Sequence, residues 1–446
     1  MRGAEVADAV VVGGGTVGGW CAWFLRRAGL ARVVLVERAQ LGRGASSRAA
    51  GMVRAQGGTA WAVRLGMWSQ DFYRTQRERA GVDSGFVALG YLMPAFSQAQ
   101  VDQAKARVAM QSGLGLDVSW LSVEEADALL PAMAPGRHLG GSYAPGDGYV
   151  DPARNVAAYI AACVRDGVVV LERTELLGLR RGTAGGVEGV ETSGGLISTG
   201  RVVLTGGPEL AEVGARAGTP VAVGGARHQV AVTEPDPRLA PDQVKMAFDL
   251  SEGVYWRPED GGLLFGMSNP FEPPGPAREI DWSYLDKVRH RVAELVPSTA
   301  GLGLRRVWAA TIDYTPDHLP ILGPALDEGG APIVGVTVAS AGGHGMMWGP
   351  AVAQIAADLA TSGTSEVLDV SDLGLDRFDR DGRSRLVPDP IALPFPSRTT
   401  ATHETAATTA ATRATPETAA TTAATRATPE TAATTAATRE KGTTQR

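Results

Sequence analysis

The stretch Ala9-Val-Val-Val-Gly-Gly-Gly-Thr-Val-Gly-Gly-Trp20 constrains this chain more than any other. Four small apolar residues read as a buried strand, and the periodic run from about Val17 to Ala28 reads as a helix. A second strand follows at Val33 to Val36, which completes a βαβ unit. The turn between the first strand and the helix is Gly13-x-Gly15-x-x-Gly18, and Glu37 stands 19 positions after the third glycine. Gly13 permits a tight turn, Gly15 lets the backbone approach a pyrophosphate, and Gly18 allows close packing of helix on strand. NH groups at the helix start face the anion, and Glu37 is placed to accept ribose hydroxyls. A glycine-rich turn without a ligand is the other reading, but it leaves the terminal acid unexplained.

With 446 residues, 44% hydrophobic and 20% charged, the chain has material for two sizeable cores. A formal charge of −6 provides no basic face for a phosphate backbone, so a small solute is expected rather than nucleic acid. Cys21 and Cys163 fall on helix faces without metal or redox spacing and read as buried thiols; no metal site is expected. There is no basic amino-terminal region followed by a leader-type apolar run, and no uncharged stretch of membrane-spanning length, which points to the cytoplasm.

Further strands are expected at Val168 to Leu171, Arg201 to Thr205, Leu263 to Gly266 and Pro332 to Val338. Helices are expected near Trp61 to Arg79, Pro152 to Asp166, Tyr284 to Leu295 and Pro350 to Thr361. This order suits an α/β protein whose two domains exchange segments. The unit ETAATTAATRATP begins at Glu404 and recurs at Glu417 and Glu430. It lacks the large apolar residues that offset chain entropy, so residues 396–446 are expected to be disordered rather than a stacked solenoid.

The run Leu41-Gly-Arg-Gly-Ala-Ser-Ser-Arg-Ala-Ala-Gly-Met-Val-Arg54 resembles the second flavin-contacting loop of the D-amino-acid oxidase superfamily of FAD-dependent oxidoreductases. Three more blocks carry the likeness, namely Pro145 to Pro152, Trp308 to Gly323, and Ala341-Gly-Gly-His-Gly345. It extends from about Ala9 to Thr361 and is nearest the sarcosine oxidase, glycine oxidase and dimethylglycine dehydrogenase group. The resemblance implies an α/β FAD-binding Rossmann-type domain interleaved with an α+β substrate domain on a mixed or antiparallel sheet. The FAD-binding domain would comprise residues 1–85, 148–208 and 305–365 and the substrate domain 86–147 and 209–304, with a C-terminal extension at 366–395. Beside the glycines and Glu37, it assigns Arg38, Ser46, Ser47, Arg48 and Gly206 to the cofactor. For Ser46, Ser47 and Arg48 a surface turn is the other reading. Gly343, His344, Gly345 and Met346 would face the isoalloxazine ring, where a glycine turn opening a helix offers NH donors to developing negative charge. His344 has the alternative of a packed or solvent-facing ring.

By the same resemblance Arg54 holds a substrate carboxylate, a task that suits the two parallel donors of a guanidinium. A surface ion pair is its plain alternative. Tyr255 would line the site above the flavin, or else belong to the core, and Arg257 is a secondary carboxylate candidate on the same strand face. Several positions depart from the relatives. Met347 stands where sarcosine oxidase has a lysine, and Ile312 where glycine oxidase has its carboxylate arginine. Leu264 stands at the oxygen-activating lysine, Ala310 at the tethering cysteine, and Arg48 at the tethering histidine of dimethylglycine dehydrogenase. The expectation is non-covalent FAD that oxidises the C–N bond of a small amine or amino acid, with O2 or an electron carrier as acceptor. Two competitors stand beside it. One is a flavin-dependent 2-hydroxy-acid or polyol-phosphate dehydrogenase, with His228, or less readily His290, as base; the other is a flavin-binding protein without catalysis.

Overall fold

The computed structural model describes residues 5–183, 185–276 and 279–391. The Thr/Ala/Pro array lies outside those residues. A six-stranded sheet runs in the order Val169–Leu171, Val33–Val36, Ala9–Val12, Val202–Leu204, Pro332–Ser340, Ile321–Leu326. Its first five strands are parallel and the last is antiparallel. Parallel strands covered on both faces read as unbroken apolar runs, and Ala9–Val12, Val33–Val36 and Val202–Leu204 are buried at every position.

On one face lie the helices Thr16–Arg27, Pro152–Arg165 and Gly349–Ser362. Their core is aromatic. Trp20, buried completely, meets Phe72 edge-on at 5.0 Å and donates its indole N–H to Asn155 Oδ1 at 3.1 Å. Cys21 and Cys163 are buried in this layer as free thiols, and burial pushes the Cys163 thiol up to about 12. A four-stranded sheet of Glu5–Val6, Gly195–Ser198, Val187–Thr192 and Leu176–Arg181 flanks the domain. These strands were not expected, because their exposed and partly polar residues give no clean alternation.

The second large sheet has eight strands in the order Leu304–Tyr314, Gly224–Thr233, Gly262–Met267, Val254–Glu259, Met246–Asp249, Tyr91–Pro94, Gly141–Ala144, Ser119–Leu121. All its pairings are antiparallel except Met246–Asp249 with Tyr91–Pro94. The helix Trp282–Leu295 covers its outer face through Leu285, Val288 and Val292. The chain passes between the two sheets at places other than those expected. Leu304–Tyr314, expected to open the third FAD segment, is the edge of the eight-stranded sheet, since it pairs along its length with Gly224–Thr233. Leu210–Ala217, expected in the substrate domain, buries Leu210 and Ala217 in the core of the six-stranded sheet.

A short three-stranded ribbon of Met52–Val53, Gly148–Tyr149 and Val87–Ala88 lies at the junction and fixes the entry to Arg54. Among the described residues no helix is long and apolar enough to cross a membrane.

Candidate active site

One cavity of about 570 Å³ runs from the glycine turn at the end of Ala9–Val12 to the inner face of the eight-stranded sheet. At the first end, Gly13 has φ of +100°, a conformation that favours glycine. A Cβ on Gly18 would stand 1.8 Å from the Gly13 carbonyl oxygen, so helix and turn approach as closely as backbone allows. Glu37 ends the neighbouring strand and accepts the Gly14 N–H at 2.7 Å and the Ala39 N–H at 2.8 Å. The acid therefore holds the turn as well as lining the cavity. Ser46, on the turn Ala45–Arg48, accepts the Thr16 N–H at 2.9 Å and draws that loop over the helix start. Arg38 pairs with Glu209 at 2.9 Å and lines the cavity with Arg48 and Gly206.

At the other end stands Arg54, 4% exposed. Its position is set by Asp147, which accepts the Ala55 N–H at 2.7 Å, the Gln70 amide at 2.6 Å and the Gln56 amide at 3.2 Å. Burial raises the Asp147 carboxyl above its ordinary range, while these donors and Arg54 favour its charged form. Arg54 donates to the carbonyls of Gln56 and Ile391, the latter at 2.9 Å, and lies 5.9 Å from the Phe248 ring centre.

Across from it, His228 and Tyr255 stand on strands separated by Gly262–Met267. The Tyr255 hydroxyl is 2.5 Å from His228 Nε2, and Ser268 Oγ is 2.9 Å from Nδ1. A neutral imidazole has one donor and one acceptor, so one hydroxyl donates to the ring and the other accepts from it. Burial holds His228 down to about 4 and lifts the Tyr255 phenol above its ordinary value. His228 is thus an uncharged base against a phenol.

Between the two ends, the turn Ala341–Met347 lines the cavity, with Gly342 at φ of +56° and Gly343 at +88°. Asp313 accepts the Ser340 hydroxyl at 2.9 Å and the backbone N–H groups of Gly342 and Gly343. His344 is buried, donates Nδ1–H to the Gly342 carbonyl at 3.0 Å, and stacks on Trp348 at 4.0 Å. Burial first, and Arg54 second, hold it down to about 3, so it too is uncharged. The helix opens at Gly349, later than the glycines, because Trp348 is its N-cap and Pro350 sits in its first turn.

Residues 8–359 match the family described as FAD dependent oxidoreductase. The chain belongs to that family. This FAD-dependent oxidoreductase is 30% identical to the glycine oxidase of Geobacillus kaustophilus over 365 residues, which are 79% of this chain and 92% of the relative. It is 28% identical to the 4-methylaminobutanoate oxidase (formaldehyde-forming) of Paenarthrobacter nicotinovorans, with 83% of this chain covering 45% of that protein. The rat mitochondrial dimethylglycine dehydrogenase is also 28% identical, and 39% of its length is covered. The chain therefore spans less than half of these two larger relatives. Among solved structures, L-proline dehydrogenase from P. horikoshii superposes with a TM-score of 0.77 at 26% identity, covering 85% of this chain and 99% of that one.

The residues present fit FAD. A glycine cradle that a single Cβ would fill, the Glu37 carboxylate beside it, and a cavity that continues past the Gly343 turn suit a dinucleotide carrying a tricyclic ring. Gly13, Gly15, Gly18, Glu37, Arg38, Ser46, Arg48, Gly206, Gly343, His344, Gly345 and Met346 all line the cavity, as do Arg54 and Tyr255. Ser47 is exposed and stands outside the lining, because the turn Ala45–Arg48 directs Ser46 and Arg48 inward. Arg257 also stands outside it. Its guanidinium donates to the Ala50 carbonyl at 3.0 Å, pairs with Glu259 and covers the Tyr149 ring at 4.3 Å. His290 is an exposed residue of the helix Trp282–Leu295. Met347 and Ile312 line the cavity, whereas Leu264 is packed in the core behind it.

Sequence reasoning missed Asp147, Asp313 and Phe248. The two acids were quoted inside motif blocks, but a buried carboxylate that orients backbone has no spacing to mark it. Phe248 looked like any strand aromatic.

Proposed function

We propose that this enzyme oxidises the C–N bond of a small amino acid or N-substituted amino acid. The observation that carries this reading is the convergence of Arg54, the His228–Tyr255 pair and the Gly343–Met346 turn on one cavity. Bound FAD would supply a two-electron acceptor between the turn and the substrate, and the imine product would be hydrolysed to a carbonyl and an amine. Arg54 holds the substrate carboxylate with the N–H groups not used on Gln56 and Ile391. Tyr255 donates to His228 Nε2, so its oxygen lone pairs are free to accept an N–H of the substrate amine and hold it in place. Ser268 receives the Nδ1–H and steadies the ring. The dry apolar wall of Tyr91, Phe248 and Met347 favours the neutral amine.

Non-covalent attachment fits Ala310 and Arg48 at the tether positions and two cysteines that are absent from the cavity lining. The acceptor is O2 or an electron carrier, and we place the enzyme in the cytoplasm.

One observation favours a second reading. An uncharged imidazole in the cavity wall also suits deprotonation of an alcohol, which a 2-hydroxy-acid dehydrogenase requires. Anaerobic titration with a panel of amino acids, N-methyl amino acids and 2-hydroxy acids separates the two. Loss of the yellow flavin absorbance with amines alone supports C–N oxidation. Loss with hydroxy acids alone replaces it, and no loss with either panel removes both.

A further inference from the structure

Residues 371–391 lie beyond the last residue that matches the family, yet they return to the substrate end of the cavity. Their path is firmly fixed. Arg377 donates to Asp317 at 2.7 and 3.0 Å in a pair shut off from solvent, and Ser384 donates to the same carboxylate at 2.6 Å. Breaking such a pair leaves an uncompensated buried charge, so the segment has one register on the Thr315–Leu319 loop. From there Asp389 donates its N–H to the Asp317 carbonyl at 3.3 Å and accepts the Ile391 N–H at 2.8 Å. A Cβ on Gly58 would stand 2.2 Å from Asp389 Oδ1, so the Arg54 side of the site rests directly on this strap.

Ile391 is the residue so delivered. It is 1% exposed and packs in one cluster with Met52, Tyr91, Phe248 and Tyr255, all of which line the cavity. Its carbonyl accepts from Arg54 Nη2, while the Gln56 carbonyl accepts from Nη1. A guanidinium has five N–H groups, so two carbonyls that each take one fix its plane and leave the others to a carboxylate.

We propose that Ile391 is a positioning and size-selecting residue of the substrate site, its carbonyl orienting Arg54 and its side chain backing the wall beyond the carboxylate. This rests on the reading of Arg54 as the carboxylate anchor. Ile391 stands outside the lining itself, and a wall of Met52, Tyr91, Phe248 and Tyr255 backed by one branched side chain on a fixed strap discriminates by volume. Loss of its methyl groups opens room beside Phe248 and Tyr255 for a bulkier acid.

The test uses the full-length FAD-loaded protein with acetate and benzoate as probes, and dissociation constants read from the change in flavin absorbance. In Ile391→Ala the ratio of the benzoate to the acetate constant falls roughly tenfold, the usual effect of a few carbons in an apolar pocket. In Ile391→Val, which removes a single carbon, the ratio falls in the same direction by less than in Ile391→Ala. Should Ile391→Ala yield no FAD-loaded protein, Ile391→Phe carries the test with the opposite sign. An unchanged ratio in a loaded variant overturns the proposal. Arg54→Ala keeps the two readings apart. Acetate binding that does not weaken there defeats the anchor itself, whereas weakened acetate binding with a ratio indifferent to position 391 defeats the wall alone.

Discussion

Acid should unfold this protein through His228, and the effect can be counted in protons. The ring is 6% exposed, with one nitrogen on Tyr255 and the other on Ser268, and burial moves it from 6.5 to about 4. A base whose folded pKa is depressed contributes stability that is whole above the unfolded pKa and is lost as pH falls through 6.5 toward 4. At pH 5 the unfolded imidazole is about 97% protonated and the folded one about 9%, so unfolding takes up about 0.9 proton at this site. Between pH 7.5 and 5 that amounts to about 2 kcal/mol of lost stability. His344, held at about 3, adds a similar amount in the same direction.

His228→Gln retains groups that can bond Tyr255 and Ser268 but cannot titrate. Unfolding by urea at pH 5 in weakly buffered indicator dye measures proton uptake per chain. Wild type should take up about 0.9 proton more than the variant. A difference below about 0.3 would refute the claim that burial keeps this ring neutral, and with it the assignment of His228 as the uncharged partner of Tyr255.

Three other outcomes are expected. Arg54→Ala should weaken carboxylate binding about a hundredfold or more, because two charge-assisted hydrogen bonds contribute about 1.5–3 kcal/mol each, and FAD content should remain; an unchanged dissociation constant removes Arg54 from the site. Gly18→Ala forces a Cβ against the Gly13 carbonyl, so the purified variant should lose most of its flavin absorbance, and full occupancy would show that the cradle tolerates a side chain. Acid precipitation should leave all yellow colour in the supernatant; colour in the pellet would reveal a covalent bond.

The nucleotide end of this protein was legible because it is local. Gly13, Gly18 and Glu37 lie within one βαβ unit, and each acts through backbone geometry that small residues and a strand-terminal acid announce. The sheet boundaries were less legible. Leu304–Tyr314 is apolar enough for either sheet, and only its pairing with Gly224–Thr233 decides which.

The substrate end depends on closure between segments far apart in the chain. The backbone at Ala55, next to Arg54, is held by Asp147 from 92 positions away, Arg54 itself by Ile391 from 337, and His228 meets Tyr255 across a strand between them. None of those residue types at those spacings forms a motif. His228 could be singled out as a possible base, but its uncharged state follows from burial, and its reach to Tyr255 follows from sheet order. Met347 and Ile312 line the cavity and Leu264 is packed behind it, so Arg54 stands beside an apolar wall. A single buried guanidinium has to be oriented by something. The strap that does so lies beyond the residues that match the family, and it brings the Ile391 carbonyl onto the Arg54 guanidinium.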